Sequence, residues 1–175
     1  MNSFLAKTLL IFSFSILSPL FISEEIREGL LRTPDDRFEN LKDYPFQPNY
    51  MNIDGLRIHY LDEGPKDADP IILFHGEPTW SYLFRKMIPV LTEAGHRVIV
   101  PDMVGFGKSD KFKSKYDYSY KHHIDVMKEL VIKLDLKNAT HFGQMAMDGP
   151  TQLWSATGKE KVTQDGSMKF CSMKN

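Results

Sequence analysis

The chain has 175 residues, enough to bury a single hydrophobic core. Hydrophobic residues make up 42% and the formal net charge is −1, an ordinary globular balance that gives no hint of nucleic-acid binding. Cys171 is the only cysteine, so an intrachain disulfide is excluded.

The first module runs from Met1 to Ser23. Lys7 supplies a positive charge, and Thr8 to Ile22 carries no charge and is rich in Leu, Ile and Phe. That is the n-region and h-region of a secretory signal peptide, at h-region length. Ser23 suits a cleavage site and Phe21 does not, so residues 8–22 are expected either to be removed or to stay as a signal-anchor in contact with a membrane. The expected location is the secretory pathway or outside the cytoplasm. A buried core helix is the competing reading, against which Pro19 and the flanking charge speak. Glu24 to Leu31 would open the mature chain.

Leu56 to Glu63 alternates apolar and polar residues and predicts a half-buried strand. Gly64 to Pro70 reads as a surface hairpin loop. Pro70 to Phe74 is a continuous apolar run, suited to a strand buried on both faces. Ser81 to Ala94 has Leu83, Met87, Val90 and Leu91 at helical spacing and Gly95 as a stop, with Pro89 bending or breaking the helix near Met87. Arg97 to Pro101 is a further buried strand, and Asp102 to Asp110 a loop with two glycines. Ser119 to Leu134 carries an apolar face at Ile124, Met127, Leu130, Val131 and Leu134. Ala139 to Phe142 predicts one more strand. Alternating strands and helices predict an α/β fold, with a partly parallel sheet and helices on both faces.

Ligands of such sheets gather at the carboxyl ends of the strands. His75-Gly76-Glu77-Pro78 stands at one such end, directly after Pro70 to Phe74. Gly76 allows a tight turn and Pro78 fixes the chain beyond it. The backbone N–H of Glu77 is then free to face a developing negative charge. Taken alone, this four-residue pattern fits a plain strand-to-helix turn equally well.

The longer segment is more specific. The segment His75-Gly76-Glu77-Pro78-Thr79-Trp80-Ser81-Tyr82-Leu83-Phe84-Arg85-Lys86-Met87-Ile88-Pro89-Val90 closely resembles the haloalkane dehalogenases, members of the α/β-hydrolase superfamily. So do Arg97 to Asp102, Gly105 to Asp110, Arg32 to Phe38, Tyr44 to Phe46 and His59 to Gly64. The resemblance covers residues 32–144, so that 24–144 reads as the amino-terminal part of the hydrolase domain. It implies a small apolar halogenated substrate, an alkyl-enzyme ester formed by a carboxylate nucleophile, and no metal or organic cofactor. Epoxide hydrolases share the His-Gly-x-Pro turn, but usually with an aromatic residue where this chain has Glu77.

The family's next element is Gln-Asp-Trp-Gly-Gly. Here Gln144 matches, Met145 occupies the nucleophile position, and Ala146 replaces the tryptophan that donates to the halide. A thioether cannot form the ester. Glu77 and Ala146 would remain as backbone donors. Asp148, three residues late, would need an odd strand slip that inverts the faces.

From Met145 to Asn175 no apolar period continues, so 145–175 is expected to be an unrelated tail without regular structure. The cap domain, later strands, second acid and catalytic histidine implied by the resemblance would follow this point, and nothing there resembles them. The sheet would end on an unpaired strand edge. The histidines at 59, 75, 96, 122, 123 and 141 read as turn, surface or strand residues rather than as the base. His122 and His123 point different ways on a helix, which disfavours a metal site. Three function readings follow: a haloalkane dehalogenase by descent, truncated and inactive as this chain; an epoxide hydrolase-like α/β hydrolase; or a non-catalytic truncated isoform or gene-model artefact. Oligomeric state is left open.

Overall fold

The computed structural model describes residues 24–143 and 169–172. Residues 1–23, including the apolar stretch 8–22, lie outside the described residues, as do Gln144, Met145 and Ala146. Among the described residues no helix is long and apolar enough to cross a membrane.

A first, small sheet joins β1 (Glu24–Arg27), β2 (Leu30–Arg32) and β7 (Lys111–Phe112), all antiparallel. The main sheet contains β3 (Asn49–Ile53), β4 (Leu56–Glu63), β5 (Pro70–Phe74), β6 (Arg97–Pro101), β8 (Thr140–Gly143) and β9 (Lys169–Ser172). Its spatial order is β3-β4-β6-β5-β8-β9. β3, β4 and β6 pair antiparallel; β6, β5, β8 and β9 pair parallel.

The β3–β4 hairpin is fixed by a local signal. Ile53 pairs with Leu56 across Asp54-Gly55, whose φ values are 51° and 77°. Positive φ at both loop residues is what a tight primed turn demands, and Asp-Gly supplies it at low strain. The residues from Gly64 to Asp69 do not form the hairpin loop expected of them. β4 and β5 are not neighbours, because β6 lies between them, and the loop carries the chain past that position.

Side chains alternate between two cores. Leu56, Ile58, Ile72, Phe74 and Ile99 pack with Val126, Met127, Leu130 and Val131 of α2 (Tyr120–Lys133). Leu61, Leu73, Val98 and Val100 face the opposite way, onto Phe84 and onto Ile88 of α1 (Met87–Glu93). Helices on both faces explain why β5 and β6 read as continuous apolar runs. Each fully buried Ile or Leu contributes about 1.5–3 kcal/mol relative to exposure.

The segment expected as one helix from Ser81 to Ala94 is a 3-10 turn, Ser81–Phe84, followed by α1. Pro89 stands at the third helical position, where its missing N–H would have no intrahelical partner. The break at Arg85-Lys86 rephases the helix, so the expected face is only partly right. Ile88 is buried, whereas Val90 is 64% exposed. His96 N–H bonds to Leu91 O and Gly95 N–H to Thr92 O, the double closure in which Gly95 has φ 90°. α2 starts with Ser119 Oγ accepting from His122 N.

The last predicted strand is shifted by one residue, to Thr140–Gly143. Four residues of the stretch expected to lack regular structure form β9, which covers the β8 edge expected to be open. Parallel pairing of this kind runs through main-chain groups, so it leaves little trace in the side-chain pattern.

Candidate functional site

The turn after β5 is held from below. Met103 N–H donates to His75 Nε2 at 2.9 Å, which leaves the ring proton on Nδ1, where it reaches Gly76 O at 3.1 Å. Burial pushes the His75 pKa down and keeps the ring neutral. His75 is therefore a bracket between two loops. Gly76 O also accepts from Thr79 N at 2.9 Å and Thr79 Oγ1 at 2.6 Å. These bonds pinch the chain and leave Glu77 at the tip, followed by a cis bond to Pro78. Among the described residues the Glu77 N–H has no hydrogen-bond partner.

Beside that tip lies an open cleft of about 410 Å³, to which His75, Gly76, Glu77, Met103, Phe106, Tyr118 and His123 contribute. Phe74 pairs with Gly143 in parallel register, so β5 and β8 leave the sheet at the same end. That is the carboxyl end, where the switch-point rule places a ligand. Glu77 lines the cleft at that end. The expected partners Met145 and Ala146 lie outside the described residues.

The structure separates the rest of the motif from the cleft. Trp80 turns into an aromatic cluster, with ring centroids 5.2 Å from Phe38, 5.4 Å from Tyr44 and 5.6 Å from Tyr82. Lys108 Nζ lies 5.4 Å from the Phe38 ring and 5.9 Å from that of Tyr44, within cation–π range. Tyr44 OH pairs with Ser81 Oγ at 2.7 Å.

One anchor went unrecognised in the sequence. Asp102, fully buried, accepts from Ser81 N at 2.7 Å, Lys108 N at 2.8 Å and His59 Nδ1 at 2.8 Å. Burial alone would raise its pKa, but the donors, His59 foremost, outweigh it and hold the carboxyl below its usual range. Asp102 ties the 3-10 turn that follows the cleft to the Gly105–Asp110 loop. Its only sequence signal was an acid placed immediately after a buried strand.

A second clamp explains why the Arg32–Phe38 and Gly105–Asp110 patterns occur together. Arg32 grips buried Asp110 through two bonds, at 2.7 and 2.9 Å. The loop also needs its glycines. A Cβ on Gly107 would lie 2.6 Å from Asp102 Cγ and 2.9 Å from Trp80 Cε3. Among the described residues no group of three or more His, Cys, Asp or Glu could hold a metal.

Residues 69–144 match the family model of the alpha/beta hydrolase fold. The haloalkane dehalogenase of Psychrobacter cryohalolentis is 58% identical over 120 residues, which are 66% of this chain and 40% of that protein. Among solved structures, the tetrameric haloalkane dehalogenase DpaA from Paraglaciecola agarilytica superposes with a TM-score of 0.69 at 44% identity, covering 74% of this chain and 45% of that one. Epoxide hydrolase A from Mycobacterium thermoresistibile shares the fold at 24% identity, with a TM-score of 0.51 over 56% of this chain and 31% of that one. The chain spans about 40% of the length of the curated relatives it matches.

Proposed function

We infer, from a chain that over its matched residues belongs to the haloalkane dehalogenase family of α/β hydrolases, that its cleft carries one half of a halide-stabilising site. The observation that carries the reading is the Glu77 N–H, without a hydrogen-bond partner among the described residues, at the tip of a pinched turn beside an apolar cleft. A donor held by such a turn would stabilise departing halide with little reorganisation cost. In the family's chemistry a carboxylate displaces the halide and water then hydrolyses the ester. Met145 stands at the nucleophile position and its thioether cannot supply that carboxylate, so the chain as given binds halide and does not turn haloalkanes over. The 58% identity to a dehalogenase favours this reading over epoxide hydrolysis.

The test combines halide release from short haloalkanes with bromide titration followed at the Glu77 amide by NMR. A saturable shift at Glu77 without multiple turnover is expected. Steady release of halide would overturn the assignment of Met145, and an unmoved Glu77 amide would overturn the half-site.

A further inference from the structure

Two other buried polar groups offer no room for a ligand. His59 and Asp102 are each 0% exposed, and the aromatic surround of Lys108 is filled by that side chain itself. The cleft beside Glu77 differs, because its walls are aromatic and fixed.

Phe106 meets the His75 ring edge to face, with centroids 5.4 Å apart. Tyr118 is held by its hydroxyl, which donates to Phe112 O at 3.1 Å. Its ring lies directly on Gly105, where a Cβ would come within 2.7 Å of Cε1. Only a glycine, here with φ 95°, lets the ring approach that closely. Tyr118 in turn stacks on His123, at 6.1 Å between centroids and 22° between planes. Met103 adds a polarisable thioether to the same walls.

The polar groups are few and specific. Among the described residues His123 Nδ1 is buried without a partner, while Nε2 carries neither that restriction nor a hydrogen bond. Buried N–H groups left without a partner are rarer than under-satisfied acceptors, which assigns the ring proton to Nε2, where it is available as a donor. Burial, with His122 and His75 nearby, lowers the His123 pKa and keeps the ring uncharged. The Glu77 N–H is a second donor, and among the described residues the lining holds no Lys or Arg to pair with an organic carboxylate.

We propose that this cleft binds an uncharged aromatic molecule bearing one hydrogen-bond-accepting oxygen, of the phenol or benzyl alcohol class, with its ring against Phe106 and Tyr118 and its oxygen toward His123. The proposal rests on the preceding reading only in sharing the Glu77 cleft, and it requires no turnover. A cleft of this volume accommodates one small ring, and open small-ligand sites of this kind bind on the order of 1 mM.

The test is an NMR titration of the full chain with phenol, cyclohexanol and benzoate, followed at the Phe106, Tyr118 and His123 signals. Phenol is expected to saturate those shifts, with cyclohexanol and benzoate at least about fivefold weaker. Phe106→Ala and His123→Phe, each checked for folding by circular dichroism, should separately weaken phenol by about fivefold or more. Equal binding of cyclohexanol and phenol would overturn the aromatic assignment, and equal binding of benzoate the uncharged one. No saturable shift at these residues in the unaltered chain would overturn the site. Because no halide enters the assay, its failure is distinct from failure of the Glu77 half-site.

Discussion

Gly107→Ala tests whether the loop above the sheet is as tightly fixed as its contacts imply. Gly107 has φ 47°, in the left-handed region, where an alanine costs about 1–2 kcal/mol. Its new methyl would also press on the Asp102 carboxylate and sit 2.9 Å from Trp80 Cε3, neither of which can yield freely. Asp102 is held by three donors, and Trp80 is packed among three other rings. Overpacking of this kind adds about 1–3 kcal/mol. The expected loss is about 2–5 kcal/mol, a large part of the 5–15 kcal/mol typical of a domain. Gly95→Ala is the matched control, since φ there is 90° and nothing lies within 4 Å of the added Cβ. It should cost only the conformational part, about 1–2 kcal/mol. Urea unfolding followed by far-ultraviolet circular dichroism measures both, and Gly107→Ala should lower the midpoint by about 1–2 M. Equal midpoints for the two variants would show that the close approach to Asp102 carries no energy.

Burial lowers the His141 pKa to about 4, below its ordinary value, so the unfolded chain takes the proton first as pH falls. Stability from this residue is full near neutrality and falls through the window between pH 6.5 and 4, by about 1.4 kcal/mol at pH 5.5 and about 2.5 kcal/mol at pH 4.5. Urea midpoints at those pH values should show that loss in the unaltered chain and not in His141→Phe; parallel losses would assign the titration elsewhere. Asp102→Asn removes the charge from a buried pair and should cost about 3–5 kcal/mol by the same unfolding assay, and a loss below about 1 kcal/mol would mean the pair is neutral. Arg32→Lys keeps the charge but loses the two-pronged grip on Asp110, so thermal unfolding should show a loss of about 1 kcal/mol, and an unchanged midpoint would mean the fork adds nothing over a point charge.

The continuous apolar runs identified β5 and β6 because helices cover both faces, so no polar residue interrupts them. Alternation identified β4 to the residue. β3 was overlooked although Asp54-Gly55 announced the hairpin, because Asn49 to Asn52 is polar or half-exposed and lies at the sheet edge. The order of strands was not visible, since β6 enters between two strands that precede it in the chain. At the cleft, the His-Gly-Glu-Pro turn was evident from local geometry. The roles of Asp102, Gly107 and Tyr118 were not, because each acts on residues far away in sequence and near only after folding.

The placement of β5 bears on how the chain is made. Pro70–Phe74, the most apolar strand of the sheet, lies between β6 and β8, and both partners are synthesised after it. At about 5–20 residues per second, Thr140 emerges on the order of several seconds after Pro70. Throughout that interval Ile71, Ile72, Leu73 and Phe74 lack at least one of the strands that will flank them. The nascent chain therefore presents a sticky β-forming segment before it has any means of covering it. Holding by a ribosome-associated chaperone, or a slowing of synthesis matched to the window before β6, would then raise the yield of folded protein.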